Sequence, residues 1–153
     1  MLKIKEMRDT LKQISAATGV PIHEIWVGAG GAMVAHGLRS QTDDIDIGCS
    51  PHYFRVLSKH YGVTPVMLDG AGGLPPVQVL LLPDLKCDIH EEFIIPERCL
   101  VEKQGIWVYS LEALLAQKRA LNRPKDIKDI NLLTRYIALL TVNPPLAALL
   151  NND

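Results

Sequence analysis

A four-residue alternation constrains the fold of this chain more than any other feature. Asp44, Ile45, Asp46 and Ile47 alternate between charged and apolar side chains. Because successive side chains of a β-strand point to opposite faces, the pattern predicts a strand with two aspartates on one face and two isoleucines on the other. Two neighbouring carboxylates repel each other unless a cation lies between them. Taken alone, the pair fits either a cation site or an exposed strand face.

The residues before this strand predict a strand, a glycine turn and a short helix. Residues 25–27 are apolar and favour a strand, which stops at the glycine-rich string 28–31. Residues 32–38 fit about two helical turns, and residues 39–42 form a polar loop. A glycine turn in this setting leaves backbone N–H groups free for a phosphate, although any tight turn also favours glycine. The glycine pair is either Gly30-Gly31 or one residue earlier.

The rest of the chain predicts further helices and strands. Helices are expected over residues 2–17, 51–61 and 111–121, and from Pro124 onward with Ile127, Ile130, Leu133 and Ile137 on one face. Strands are expected over residues 77–82, 86–90 and 106–109, whereas residues 63–76 have the composition of a loop and the tail from residue 142 is expected to fray. The order of helices and strands predicts a single α/β domain. Its core covers about residues 20–110, and C-terminal helices cover about residues 110–141.

Composition excludes several classes of protein. The 153 residues are 48% hydrophobic and 22% charged, as in one ordinary globular domain. No stretch approaches the roughly 18 uncharged residues that span a bilayer, and the first residues lack the apolar region of a signal peptide. A cytoplasmic protein is expected. Three widely spaced cysteines predict buried thiols rather than a disulfide framework or a metal knuckle.

Charge is unevenly distributed along the chain although the formal net charge is only −1. Residues 41–102 contain ten acidic and four basic side chains, a balance of −6. Residues 118–135 contain six basic and two acidic side chains, a balance of +4. An acidic middle and a basic C-terminal third suit a site that holds cations on one side and phosphates on the other.

The order of these features resembles the nucleotidyltransferase superfamily of the DNA polymerase β type. The resemblance is carried by the Gly30-Gly31 pair, a short helix and Asp44-Ile45-Asp46-Ile47 a dozen residues later. Residues 86–89 are similar to the strand that supplies the family's third carboxylate, which would be Asp88, with Asp84 as the nearest competitor. Residues 105–118 and 123–130 resemble the C-terminal part of small prokaryotic toxin–antitoxin and abortive-infection members. The resemblance covers roughly residues 25–133.

The resemblance implies a minimal nucleotidyltransferase fold, with a small mixed, mostly antiparallel sheet flanked by helices, and a particular set of site residues. Asp44, Asp46 and Asp88 would hold Mg²⁺, most simply as two ions for which Mn²⁺ can substitute, and Asp88 would also orient or deprotonate the acceptor hydroxyl. Gly30 and Gly31 would hold the triphosphate. The remaining expected contacts come from Lys118 as a catalytic cation, Arg123 and Lys125 at the nucleotide, and Ser40 or Thr42 at a phosphate. For Ser40 and Thr42, local loop capping is the alternative.

The implied function is Mg²⁺-dependent transfer of a nucleoside monophosphate from an NTP to a hydroxyl acceptor. One alternative is a toxin–antitoxin or phage-defence component that modifies RNA, such as tRNA, or a partner protein. Another is a non-catalytic nucleotide-binding module on the same scaffold. The basic segment favours a polyanionic acceptor.

Other polar residues have ordinary structural explanations. His36 closes a short helix, and Asp126 and Asp129 lie on one helix face where they can pair with lysines. His90, Glu91 and Glu92 follow Asp88 closely and could suggest a metal cluster. Because neighbouring strand residues alternate between faces, at most Asp88 and His90 can point to the same place.

Overall fold

The computed structural model describes residues 1–69, 75–92 and 99–142. The helices are α1 (Ile4–Thr18), α2 (Ala29–Ala35), α3 (Pro51–Tyr61), α4 (Leu111–Leu121) and α5 (Ile127–Val142). The strands are β1 (Ile25–Gly28), β2 (Ile45–Cys49), β3 (Val66–Leu68), β4 (Val77–Leu82), β5 (Cys87–Glu91), β6 (Leu100–Lys103) and β7 (Ile106–Tyr109). No helix in these ranges is long and apolar enough to cross a membrane.

All seven strands form one sheet in the order β3-β4-β5-β2-β1-β7-β6. The β1–β7 and β2–β5 pairs are parallel, and the other four pairs are antiparallel. The prediction of a mixed, mostly antiparallel sheet with a helical C-terminal portion is therefore confirmed. Parallel pairing of β2 with β5 matters most for function, because it aligns the two strands that carry the predicted carboxylates.

The core lies between this sheet and the helices. Ile45 and Ile47 of β2 are fully or almost fully buried, as the alternation predicts. Met7, Leu11 and Ile14 of α1 pack with them in one hydrophobic cluster. Their 3.5-residue spacing places them on one face of the helix, which ends at Gly19 in a left-handed conformation.

Helix starts follow the capping residues that the sequence predicts. The Ser50 hydroxyl accepts a hydrogen bond from the N–H of Tyr53 and caps α3, with Pro51 at the first helical position. The Ser110 hydroxyl accepts one from the N–H of Ala113 and caps α4. Pro124 opens a single 3₁₀ turn, after which α5 begins at Ile127.

Three expectations for the elements are wrong. The helix expected over residues 32–38 begins at Ala29, so the glycine pair lies in its first turn rather than in a turn before it. The loop expected over residues 63–76 contains strand β3, which its exposed, glycine-flanked sequence conceals. On the predicted face of α5, Leu133 is buried and Ile137 packs partly buried against the core, but Ile127 is 57% exposed and Tyr136 contributes to the buried face in addition.

The cysteines are free. Cys49 and Cys87 are buried, and burial raises the pKa of each thiol to about 12, while Cys99 is half-buried. The expectation of fraying from residue 142 concerns a tail that, beyond Val142, lies outside the described residues.

Candidate active site

Two of the predicted carboxylates lie side by side on neighbouring strands. Asp46 of β2 is in register with Asp88 of β5, so both side chains point to the same face of the sheet. Asp44 stands immediately before β2. Burial and the negative charges of Asp46 and Asp44 raise the pKa of Asp88. Burial and the charges of Asp46 and Asp43 likewise raise the pKa of Asp44. The three carboxylates are thus close enough to repel one another.

The chemistry of these donors fits a divalent cation. Within residues 1–69, 75–92 and 99–142, no three His, Cys, Asp or Glu side chains stand close enough together to hold a metal ion as placed. The donors nevertheless are carboxylate oxygens, which Mg²⁺ prefers, and a bound cation would relieve the repulsion that, with burial, raises the pKa values of Asp44 and Asp88. Asp44, Asp46 and Asp88 are the residues whose oxygens could serve as ligands of a metal ion.

Asp84 occupies a different position from Asp88. It lies in the exposed 3₁₀ turn Pro83–Leu85, which joins β4 to β5. The register of β5 gives Asp88, and not Asp84, the place beside Asp46. Of the two candidates for the third carboxylate, the geometry favours Asp88.

A cleft of about 450 Å³ opens beside the carboxylates, and we call it the charged cleft. It brings together most of the predicted site residues, namely Gly30, Thr42, Asp44, Asp46, Lys118, Arg123 and Lys125. Ser40 is not among them, because it is exposed and lines a separate groove with Lys3 and Gln104. Acids and bases far apart in the sequence thus meet in one cleft.

The two glycines of the predicted pair have different surroundings. A Cβ atom at position 30 would lie 2.7 Å from Nη1 of Arg39 and 3.0 Å from Oγ1 of Thr42, so Gly30 keeps the wall of the charged cleft open. A Cβ at position 31 would lie 2.6 Å from Cγ1 of Val27, inside the core. Gly31 therefore permits close packing of α2 on β1 and does not face the cleft.

Thr42 has a local structural role. Its hydroxyl donates to the backbone carbonyl of Asp44 at 3.1 Å. Its backbone N–H and C=O form two hydrogen bonds with Leu2, at 2.9 and 2.7 Å. The loop-capping alternative is the one observed, and it fixes the backbone just before the carboxylates.

A network of ion pairs holds the cations of the charged cleft. Nζ of Lys118 lies 3.1 Å from Asp129 and 3.7 Å from Asp126, with only 7% of the lysine side chain exposed. Arg123 donates to both carboxylate oxygens of Asp126. Arg39 donates to Asp129 at 2.8 Å. We call these three cations and two carboxylates the ion-pair network; the structural pairing expected for Asp126 and Asp129 is present, with Lys118 as the shared lysine.

A second cleft of about 510 Å³ adjoins the first and shares Ala29, Asp46, Lys118 and Arg123 with it. We call it the side cleft. His90 reaches Oδ1 of Asp46 at 3.2 Å from this side. Burial lowers the pKa of His90, but the hydrogen bond to Asp46 and its charge outweigh burial, so the net shift is upward.

Glu92 and Tyr109 form a hydrogen-bonded pair at the side cleft. The Tyr109 hydroxyl donates to Oε2 of Glu92. Burial raises the pKa of Glu92 by more than the hydrogen bond from Tyr109 and the neighbouring Trp26 indole lower it. The Tyr109 carbonyl is bound by the buried ring of His36 at 2.8 Å. His36 is thereby engaged in the interior and does not reach a phosphate site.

Sequence reasoning assigned no role to Arg39, His90 or Glu92. Arg39 lies in the polar loop five residues before Asp44, and this position was the signal available for it in the sequence. Because strand side chains alternate between faces, every second residue after Asp88, namely His90 and Glu92, falls on the same face of the sheet as Asp88. The sequence could therefore predict this face. It could not predict the contact of Glu92 with Tyr109, 17 residues away, because that contact depends on the pairing of distant strands.

Comparison with known proteins supports the fold. No protein-family model matches the chain, and no curated protein matches it either. Among solved structures, ANT(2″)-Ia in complex with adenylyl-2″-tobramycin is similar, with 14% identity and a TM-score of 0.51 over 97% of this chain and 94% of that one. A candidate nucleotidyltransferase from Thermotoga maritima has 15% identity and a TM-score of 0.54 over 90% and 96% of the two chains.

A solution structure of the antibiotic-resistance factor ANT(2″)-Ia gives a TM-score of 0.54 at 15% identity, over 97% of this chain and 88% of that one. These likenesses show that the chain has the nucleotidyltransferase-superfamily fold.

Proposed function

We propose that the protein transfers a nucleoside monophosphate from an NTP to a hydroxyl group, with Mg²⁺ as the metal ion. The observation that carries the proposal is the register of Asp46 with Asp88, beside a cleft that Asp44 and Asp46 line together with Lys118, Arg123 and Lys125. Oxygen donors and cations that line one cleft suit a metal-bound triphosphate. The shared fold with nucleotidyltransferases supports the same reaction class.

In this reaction the acceptor oxygen forms a bond to the α-phosphorus of the NTP. The bond from that phosphorus to the bridging oxygen breaks, and pyrophosphate leaves with the electron pair. Asp88 orients the acceptor hydroxyl and takes its proton. Lys118 and Arg123 neutralise charge on the phosphates. Bound Mg²⁺ supplies Lewis-acid stabilisation of the attacking and leaving oxygens.

The acceptor is a separate part of the proposal. A polyanionic acceptor such as tRNA was expected from the basic segment, but Lys118 and Arg123 of that segment are already paired with Asp126. One fold neighbour was solved with adenylyl-2″-tobramycin, a small molecule that carries an adenylyl group. A small-molecule acceptor therefore stands beside RNA or a protein in the proposal. A role in toxin–antitoxin or phage defence would require RNA or a protein as the acceptor.

The test is transfer of label from α-³²P-labelled NTPs, with Mg²⁺, to a cell lysate of small molecules, RNA and proteins. Asp46→Asn is expected to lower transfer by about a thousandfold, since loss of a metal ligand removes several kcal/mol of transition-state stabilisation. Asp84→Asn is the matched control, because it changes the same chemical group in an exposed turn away from Asp46. Wild-type transfer by a folded Asp46→Asn protein would disprove the assignment.

A further inference from the structure

The charged cleft and the side cleft meet at Asp46, and this geometry separates two binding regions. Asp46, Lys118 and Arg123 line both clefts, whereas most of the other lining residues belong to only one of them. A transfer reaction needs a donor and an acceptor on either side of the group that is transferred. If the triphosphate occupies the charged cleft, as proposed above, the side cleft is placed to receive the acceptor.

The side cleft has different chemistry from the charged cleft. Leu68, Val77 and Leu121 give it apolar walls. Its own ionisable side chains, apart from those shared with the charged cleft, are Asp69, His90, Glu92 and Tyr109. His90 is hydrogen-bonded to Asp46, which leaves two acids that are not balanced by a base of this cleft alone. The shared cations Lys118 and Arg123 are paired with Asp126 and serve the triphosphate in the proposed reaction, so they offer little net attraction to a second polyanion. The side cleft is therefore suited to a neutral or cationic compound and unfavourable for a phosphodiester backbone.

Glu92 is held in a fixed position at the side cleft. One carboxylate oxygen accepts the Tyr109 hydroxyl, and the Trp26 indole lies next to the same carboxylate. Gly48 is required at this point, because a Cβ there would overlap both Oε1 of Glu92 and Nε1 of Trp26. A half-buried carboxylate whose hydrogen bond comes from a neutral hydroxyl gains from a nearby cation.

We propose that the side cleft is the acceptor subsite and that it takes a small hydroxyl compound carrying a protonated amine. This inference rests on the proposed nucleotidyl transfer. Glu92 binds the ammonium group, and a hydroxyl of the same molecule lies beside Asp46 and its register partner Asp88, which orients that hydroxyl for attack on the α-phosphorus as described above. A volume of about 510 Å³ is of the size that holds a drug-sized ligand.

Binding to this subsite can be measured without nucleotide. The probe is the glucosamine trimer, and its matched neutral control is maltotriose, which has three sugar rings but no amine. The reporter is the indole N–H signal of Trp26 in ¹H–¹⁵N NMR spectra, because this group adjoins Glu92. The chain has two tryptophans, so a Trp107→Phe variant assigns the signal.

We expect the glucosamine trimer to shift the Trp26 signal at millimolar concentration and maltotriose to leave it in place. Glu92→Gln should weaken the response by about tenfold, the effect of losing roughly 1.4 kcal/mol of charge-assisted contact. Glu91→Gln is the matched control, since Glu91 is adjacent but lines a groove with Phe54 and Arg55 on another side. It should respond as the wild type does.

A second measurement separates failure of this inference from failure of the proposed function. Label transfer from α-³²P-NTP is compared for the glucosamine trimer, maltotriose and total tRNA. Transfer to tRNA alone, or equal transfer to both sugars, overturns the amine-acceptor subsite while nucleotidyl transfer stands. An unmoved Trp26 signal with the amine probe also overturns it. A Trp26 response with no transfer and no Mg²⁺-dependent NTP binding would instead count against the proposed function.

Discussion

Gly30 and Gly31 are neighbours in the sequence, yet different constraints require each of them. Gly31→Ala is expected to destabilise the protein by about 1–3 kcal/mol, because the added methyl group overlaps Val27 and approaches Met7 within the core. Gly30→Ala is expected to leave the free energy of unfolding nearly unchanged. Its methyl group meets the flexible end of Arg39 and enters the charged cleft, so NTP binding should weaken instead.

Urea denaturation and calorimetric titration with Mg²⁺ and NTP distinguish these two effects. The prediction fails if Gly30→Ala unfolds as readily as Gly31→Ala. It also fails if Gly31→Ala loses nucleotide affinity at full stability.

Asp88 shows a conflict between stability and the proposed activity. Burial and the charges of Asp46 and Asp44 raise its pKa in the folded protein above the ordinary value of 3.8. The folded state then binds the proton more tightly than the unfolded state, so stability falls as pH rises from about 3.8 through the raised pKa. Asp88→Asn removes this cost. We expect it to melt at a higher temperature than the wild type at pH 7 and to have the same stability as the wild type near pH 3.

The same substitution should lower label transfer by about a hundredfold or more, because the carboxylate that orients the acceptor is lost. Circular dichroism melts at several pH values and the transfer assay together test this pairing of effects. Lower thermal stability of Asp88→Asn at pH 7 would contradict the repulsion among the carboxylates.

The sequence predicts the placement of residues well where a short-range rule governs them. Alternation along β2 places Ile45 and Ile47 in the core and Asp46 on the opposite face, and capping chemistry fixes Ser50 and Ser110. Arg39 could not be assigned by such a rule, because its partner Asp129 lies 90 residues away. Its position depends on how α5 packs against the loop before β2, which no local pattern encodes.

The ion-pair network is the feature that joins the C-terminal helices to the site. Asp126 is 2% exposed and accepts hydrogen bonds from the backbone and side chain of Arg123, while also facing Lys118. Asp126→Ala is expected to lower the free energy of unfolding by about 3 kcal/mol, which is the lower end for breaking a buried ion pair. The loss is limited because Lys118 still has Asp129 as an ion-pair partner. Asp84→Ala, at an exposed turn, should cost little.

The pH dependence of this network follows from the same contacts. Hydrogen bonds from Arg123 lower the pKa of Asp126 below its ordinary 3.8. Its contribution to stability is therefore complete above about pH 3.8 and is lost as pH falls through the lowered pKa. Urea denaturation should show a large difference between wild type and Asp126→Ala at pH 7 and a smaller one at pH 2. An equal difference at both pH values would contradict the lowered pKa of Asp126.

At the level of elements, β3 and β6 are the strands that the sequence did not predict. β3 is exposed at the edge of the sheet and has no alternation of burial. β6 pairs with β7 across Gln104 and Gly105, which both have positive φ, of 49° and 86°. A two-residue turn of this type requires positive φ at both positions, and Gly105 was the signal that could have predicted the hairpin.

The net charge of −1 describes the whole molecule poorly, because opposite charges are sorted by sequence and then brought together by folding. The acidic middle contributes Asp44 and Asp46 to the charged cleft, and the basic C-terminal third contributes Lys118, Arg123 and Lys125. The charges of the two segments predicted a site to which both acidic and basic side chains contribute. They could not predict that Asp126 and Asp129 occupy the same cleft and hold its cations.

Because the charged cleft joins the carboxylates before and on β2 to the helices α4 and α5, ligands bound there should stabilise the whole fold. At an NTP concentration of about 100 times Kd, with Mg²⁺, the expected gain is about 2.7 kcal/mol, or several degrees in Tm for a chain of this size. The gain should require both ligands, since the carboxylates repel a triphosphate without metal.

Asp46→Asn should abolish this gain in stability, and Asp84→Asn should retain it. Thermal melts with NTP and EDTA, with Mg²⁺ alone and with both ligands separate these cases. An equal rise without Mg²⁺ would contradict the metal assignment, and no rise under any condition would remove the charged cleft as a nucleotide site.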